Sequence, residues 1–265
     1  MNPFSLKDKV VLVTGAYGHI GEAISLALAG AGAHVVISGR DAEKLECLAE
    51  KIRAANQEVS TQVLDVTDRK SIAAAVQILT GKFGKLHGIV NNAYAGRGGD
   101  LSKITSEDFD KAVDFSMKGP FEIVTQALPL LRAAHAESAA GASIVNVATM
   151  YAHVSPDPNI YGDSGQNNPI HYGAAKAGMV QMSRYLAVHL AKDAIRVNSV
   201  SPGPIPRPAR NLAEEAFYQR LDQKVPLGRI GKPSEVAYPI VFLLSDAASY
   251  ITGADLPVDG GWTTW

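Results

Sequence analysis

Val10-Val11-Leu12-Val13-Thr14-Gly15-Ala16-Tyr17-Gly18-His19-Ile20-Gly21 is the stretch on which the fold turns. An apolar, β-branched run breaks into glycines. After them Ile20, Ala23, Ile24, Ala27, Leu28 and Ala31 repeat at helical spacing until Gly30 and Gly32 end the pattern. The expected order is strand, glycine turn, helix. Glycine lets the backbone turn tightly and approach a pyrophosphate, and a helix N-terminus offers that anion free N–H groups and a partial positive charge. A glycine cluster alone is a weak signal, but between the first strand and first helix of an α/β series it points to a dinucleotide. Gly15, Tyr17, Gly18, His19, Ile20 and Gly21 are therefore candidate cofactor contacts.

Working outward, similar runs occur at Val35-Val36-Ile37, Val63-Leu64, Ile89-Val90, Ile144-Val145-Asn146-Val147 and Val197-Asn198-Ser199-Val200. They are short and barely alternate, as strands buried on both faces do. Helical patterns lie between them. Strand–helix–strand units in series predict a doubly wound parallel α/β sheet with helices on both faces. No composition break separates a second domain, so 1–265 is expected to be one unit. Two stretches carry turn chemistry: 151–171, and the Pro-Gly-Pro-Ile-Pro-Arg-Pro run from Pro202. Loops near 150–171 and 202–222 are expected to carry specificity.

The second strand ends Ser38-Gly39-Arg40-Asp41. An acidic residue at such a strand end would grip the ribose hydroxyls of NAD, whereas a guanidinium suits the 2′-phosphate of NADP. Arg40 favours NADP(H) over NAD(H). Asp41 keeps the alternative open.

Bulk properties exclude other classes. The chain has 265 residues, 46% hydrophobic and 19% charged, with net charge −1. No basic excess points to nucleic acid. No apolar run reaches bilayer length, and the N-terminal residues lack an apolar signal-peptide core. The single cysteine, Cys47, fits a reducing, cytoplasmic setting and reads as a small apolar filler of an amphipathic run at 43–54. The histidines form no pair with metal-ligand spacing, so no metal is expected. His135 and His189 read as helix-surface residues.

Tyr172-Gly173-Ala174-Ala175-Lys176 places a phenol and an ammonium one helical turn apart. A nearby cation favours phenolate. Lowering a tyrosine from ~10 to neutrality takes about 3 units, or roughly 4 kcal/mol. Lys176 together with an oxidised nicotinamide is expected to supply it.

In order along the chain stand Thr14 to Gly21, Asp65-Val66, Asn91-Asn92-Ala93, Ser143 to Thr149, Tyr172 to Lys176, Asn198 to Gly203 and Val258-Asp259-Gly260-Gly261. This series resembles the short-chain dehydrogenase/reductase family, in its short single-domain branch, over nearly the whole length. The resemblance implies a seven-stranded parallel sheet binding NAD(P). It implies Tyr172 as general acid/base and Lys176 as the cation that tunes it and holds the nicotinamide ribose. Asp65 and Val66 would lie beside the adenine, and Asn91, Asn92 and Ala93 would line the groove. Pro202, Gly203 and Ile205 would border the nicotinamide. A homotetramer or homodimer packed through helices near 105–135 and 172–192 is implied as well.

Three departures stand out. The family's middle glycine falls where this chain has His19, and the Gly15/Gly18/Gly21 spacing resembles the epimerase and dehydratase branch. Thr149 replaces the catalytic serine, keeping a hydroxyl. Ser116 replaces the helix asparagine of the proton relay, so it holds a water less rigidly or the relay runs elsewhere. The segment from Thr149 to Tyr172 is long and polar (Tyr161, Asp163, Ser164, Gln166, Asn167, Asn168, His171), which hints at a sugar-like substrate. The leading expectation is an NADP(H)-linked enzyme interconverting an alcohol and a ketone. An epimerase-like enzyme and a cofactor-binding regulator without chemistry are the alternatives.

Overall fold

A computed structural model describes residues 2–135, 141–164 and 167–265; Gly165 and Gln166 of the long polar segment lie outside the described residues. The apolar runs form strands β1 (Val10–Thr14), β2 (His34–Gly39), β3 (Val59–Val63), β4 (Gly88–Asn91), β5 (Ala142–Val147), β6 (Ile195–Pro202) and β7 (Asp255–Val258). They pair in one sheet of order β3-β2-β1-β4-β5-β6-β7, every pairing parallel. Every residue of β1, β4, β5 and β6 is buried, because helices cover both faces.

The edge strands differ from the sequence expectation for one reason. With fewer neighbours, they need less apolar sequence. β3 alternates buried and exposed residues and starts before the apolar pair expected at Val63-Leu64; Leu64 already lies beyond it. β7, Asp-Leu-Pro-Val, has no apolar run to announce it and holds Pro257, which an edge tolerates.

The helices are α1 (His19–Gly30), α2 (Ala42–Ala54), α3 (Arg69–Phe83), α4 (Ser106–Val113), α5 (Gly119–His135), α6 (Ile170–Leu190), α7 (Leu212–Lys224) and α8 (Pro233–Leu244). Ile24 and Leu28 of α1, Leu45, Leu48 and Ile52 of α2, and Val236 and Ile240 of α8 pack in one core layer. Ile72 and Leu79 of α3, Ile123 and Leu131 of α5, and Leu186 and Leu190 of α6 form the other. Cys47 corrects the reading as core filler. Leu45, Leu48 and Ile52 take the inward face of α2, which leaves Cys47 exposed. His135 and His189 are exposed on their helices, as expected.

Neither expected loop is wholly irregular. The first holds 3₁₀ turns at Met150–Ala152 and Pro158–Ser164 before α6 begins at Ile170, and α7 occupies the second from Leu212. Among the described residues no helix is long and apolar enough to cross a membrane.

Strand order reverses between β1 and β4, and the loops leaving their C-terminal ends separate there, opening a crevice for a ligand. The turn after β1 is shaped by contact as much as by φ. Gly15 has φ +63°, and a Cβ at Gly21 would stand 2.2 Å from the Gly15 carbonyl oxygen and 2.8 Å from Asn92 Nδ2. Gly21→Ala is expected to force this turn apart and lower stability by about 1–3 kcal/mol, read as a fall in thermal midpoint.

Candidate active site

The turn after β1 is tied to the end of β4. The Thr14 hydroxyl accepts from the backbone N–H groups of Asn92 (3.0 Å) and Ala93 (3.1 Å) and donates to the Val90 carbonyl (3.3 Å). The Asn92 amide donates to the carbonyls of Thr14 (3.0 Å) and Gly15 (3.1 Å). Between these loops runs a groove of about 430 Å³. Gly15, Tyr17, Gly18, His19, Ile20 and Gly21 form one wall; Arg40, Asp65, Val66, Asn92, Ala93 and Ile205 also line it. Gly18 caps α1 without any side-chain hydrogen bond, so the first-turn N–H groups remain available to an anion.

The strand end of β2 carries no acidic side chain. A Cβ at Gly39 would fall 2.4 Å from the Tyr17 ring, so Tyr17 excludes an acidic side chain there. Asp41 does not line the groove. It caps α2, accepting from the Lys44 N–H (3.1 Å) and pairing with the Lys44 ammonium (2.9 Å), which holds its carboxyl below the ordinary range. Arg40 is exposed in the groove and has no hydrogen-bond or ion-pair partner among the described residues. Free amides, a backbone that admits close approach and the unspent Arg40 guanidinium fit a dinucleotide.

Three expected contacts lie elsewhere. Asn91 is buried in β4 and donates to Asn146 Oδ1 (2.7 Å), whose own amide donates to Ser183 on α6 (2.8 Å). That chain of hydrogen bonds fixes α6 against the sheet. Pro202 is the buried end of β6, and Gly203 packs on Asp259 beside a separate cavity. Strand alternation and the β6–β7 pairing turn these residues away from the groove.

Tyr172 and Lys176 occupy the first turns of α6. Lys176 is only 2% exposed. Its ammonium donates to the Val147 carbonyl (2.5 Å), lies 3.8 Å from the Met179 sulfur and sits 5.6 Å from the centre of the Tyr94 ring. No carboxylate partners it, and burial pushes its pKa down to about 7. The expected lowering of the Tyr172 phenol counts on an oxidised nicotinamide as well as on Lys176. Burial pushes this phenol up from its ordinary value, and only the hydrogen bond with Thr149 pulls the other way. Thr149 is 5% exposed and its hydroxyl accepts from the Tyr151 N–H (3.4 Å). Ser116 lies in a π-turn (Asp114–Lys118), fully buried with an unpartnered hydroxyl, and lines neither cavity.

A larger cavity of about 1120 Å³ opens beside Tyr172. The long polar segment walls it with Tyr161, Ser164, Asn167 and Asn168, as expected. His171 does not: it is buried at the start of α6 with its ring edge-on to Phe109. The opposite wall is α7, through Glu214, Phe217 and Arg220, within the second expected segment at 202–222. Tyr94 escaped the sequence reading, although it directly follows Asn91-Asn92-Ala93. It lines both cavities and sets its ring edge-on to Tyr172 at 4.8 Å.

Known proteins are similar to this chain over nearly its whole length. A family profile described as enoyl-(acyl carrier protein) reductase matches residues 15–263. The chain is 37% identical over 256 residues to a 3-oxoacyl-[acyl-carrier-protein] reductase FabG of Thermotoga maritima, covering 97% of this chain and 98% of that one. It is 33% identical to a cyclohexanol dehydrogenase of Acinetobacter sp., over 97% and 96% of the two chains. Among solved structures, a gluconate 5-dehydrogenase from Burkholderia cenocepacia J2315, in complex with NADP and tartrate, superposes with TM-score 0.87 at 25% identity, covering 100% and 98%.

The buried ammonium makes stability depend on pH. Lys176 gives up its proton near pH 7 in the folded protein, against an ordinary value of 10.5. Between those values the unfolded chain binds more protons, so this group's contribution to stability rises with pH. Lys176→Met removes the penalty. Its stability advantage over wild type is expected to shrink between pH 7 and 10 by up to about 1.4 kcal/mol per unit, measured by urea unfolding at several pH values.

Proposed function

Since this chain belongs to the short-chain dehydrogenase/reductase family and is an oxidoreductase acting on CH–OH groups, we propose that it interconverts an alcohol and a ketone with NADP(H), on a small hydroxylated substrate. The observation that carries this reading is the junction of the two cavities. Tyr172 lines the larger one beside Thr149, and Tyr94 belongs to both. A nicotinamide bound in the groove supplies or accepts the hydride.

The chain's own residues do the rest. In reduction the Tyr172 phenol donates its proton to the carbonyl oxygen; in oxidation the Tyr172 phenolate takes the hydroxyl proton. Thr149 orients that oxygen by hydrogen bonding. Lys176 sets a positive charge behind the phenol, held by Val147 and the Tyr94 face. Gly15 to Gly21, Asp65, Val66, Asn92, Ala93 and Ile205 hold the dinucleotide, with Arg40 on the 2′-phosphate.

The substrate wall supports a hydroxyl-rich ligand. Among the described residues the buried side-chain oxygens of Asn167 and Asn168 have no partners, and a substrate hydroxyl would satisfy these acceptors. Arg220 spends its Nε on the Ile160 carbonyl (2.7 Å), leaving its terminal nitrogens for a substrate oxygen. Tartrate in the gluconate 5-dehydrogenase complex is a ligand of that chemistry. We read 1–265 as one domain with active-site walls near 150–171 and 202–222. Its location would be cytoplasmic and its state a homotetramer or homodimer, covering the exposed Tyr185 and Val188 of α6. The regulator without chemistry gives way to the family's activity. The epimerase-like spacing rests on His19, whose side chain has another use, described below.

Tyr172→Phe is expected to lose at least ~10²-fold in turnover while its fluorescence titration with NADPH stays as in wild type; full activity in this variant sinks the mechanism. Arg40→Gln is expected to weaken NADPH about tenfold and leave NADH unchanged. Wild-type preference for NADH in the same titration would overturn the cofactor assignment.

A further inference from the structure

The segment leaving β6 has prolines at 202, 204, 206 and 208. Proline lacks an N–H and fixes φ, so this segment is stiff and has few N–H groups with which to anchor itself. Carbonyls from three separate places are used. The Gly231 N–H donates to Pro204 O (3.0 Å), the Tyr218 hydroxyl to Arg207 O (2.8 Å), and His19 Nε2 to Pro206 O (2.9 Å). A carbonyl can only accept, so His19 carries its proton on Nε2.

The His19 bond joins the first residue of α1 to a segment 187 residues away. It crosses between two walls of the dinucleotide groove, since His19 lines one and Ile205 and Arg207 the other. Arg207 follows the tethered carbonyl directly. It is exposed in the groove, and its guanidinium has no hydrogen-bond or ion-pair partner among the described residues. Arg40 is a second unspent guanidinium in the same groove.

We infer that His19 is a positioning residue that tethers the Pro204–Arg207 segment to the phosphate-binding turn, and that the tether delivers Arg207 to the dinucleotide pyrophosphate as a binding residue. The two arginines then divide the work. Arg40 reads the 2′-phosphate found only in NADP, and Arg207 meets the charge common to both cofactors. The residue in the middle glycine's place is thus a device for closing the groove. This inference rests on the dinucleotide reading of the groove proposed above.

The test is a fluorescence titration of wild type, Arg207→Gln, His19→Gly and His19→Gln with NADPH and, separately, NADH. Arg207 is exposed, so its variant keeps the fold. Arg207→Gln is expected to weaken both cofactors by a similar factor, about tenfold. His19→Gly should do the same, and His19→Gln, which keeps a side-chain N–H, should recover most of the loss. In the cofactor-free protein, His19→Gly should also speed amide exchange at Gly231, whose N–H is bonded to Pro204 O next to the tether, which loss of a charge alone would not do. Unchanged affinities in Arg207→Gln or His19→Gly overturn the inference. A loss confined to NADPH in Arg207→Gln overturns the pyrophosphate assignment. Wild type binding neither cofactor overturns the dinucleotide reading itself.

Discussion

The hydrogen bonds between Thr14 and the Asn92-Ala93 backbone, returned by the Asn92 amide to Thr14 and Gly15, set where the site can be. They lie at the point where strand order reverses, and there two loops must part. Without a tie across that gap the turn after β1 has few reasons to hold one shape. With it, the α1 N-terminus is aimed at a groove whose far walls come from β2, β3 and the segment after β6. The close approach of Gly21 to Gly15 and Asn92 follows from the same tie.

A second constraint sits one strand further on. Asn91, Asn146 and Ser183 form a buried chain of side-chain hydrogen bonds from β4 through β5 to α6. Such a chain is expensive to leave half made, so it fixes one placement of α6 against the sheet. The same helix carries Tyr172 and Lys176. The Lys176 ammonium is accommodated by a carbonyl, a thioether and the face of Tyr94, with no carboxylate. A cation–π contact of about 0.5–2 kcal/mol only partly offsets its desolvation, which agrees with a pKa near 7. The strain of holding this charge is concentrated where the proposed chemistry occurs.

The walls of the substrate cavity are built differently from the sheet. Tyr161, Asn167 and Asn168 come from a segment with short 3₁₀ turns, and Glu214, Phe217 and Arg220 from a helix that packs little of itself into the core. Leu221 is the residue of α7 that is buried. Walls of this kind change side chains at small cost to the fold. That suits a family whose relatives include a cyclohexanol dehydrogenase and acyl-carrier-protein reductases on one scaffold.

The sequence by itself determined the parallel sheet, the glycine turn and the Tyr172–Lys176 pair. Central strands buried on both faces must be apolar runs, and a residue pair four apart on a helix needs no tertiary information. It could not reveal β7 or the extent of β3, because edge strands are not required to be apolar. It also could not place Cys47, Asn91 or Gly203, whose orientation follows from helix phase and strand register. Burial, which raises the Tyr172 phenol, exists only once α6 is packed. Tyr94, Arg220 and the His19–Pro206 contact belonged to the tertiary structure alone. Each depends on bringing together residues far apart in the chain, and only the assembled sheet sets the distance between them.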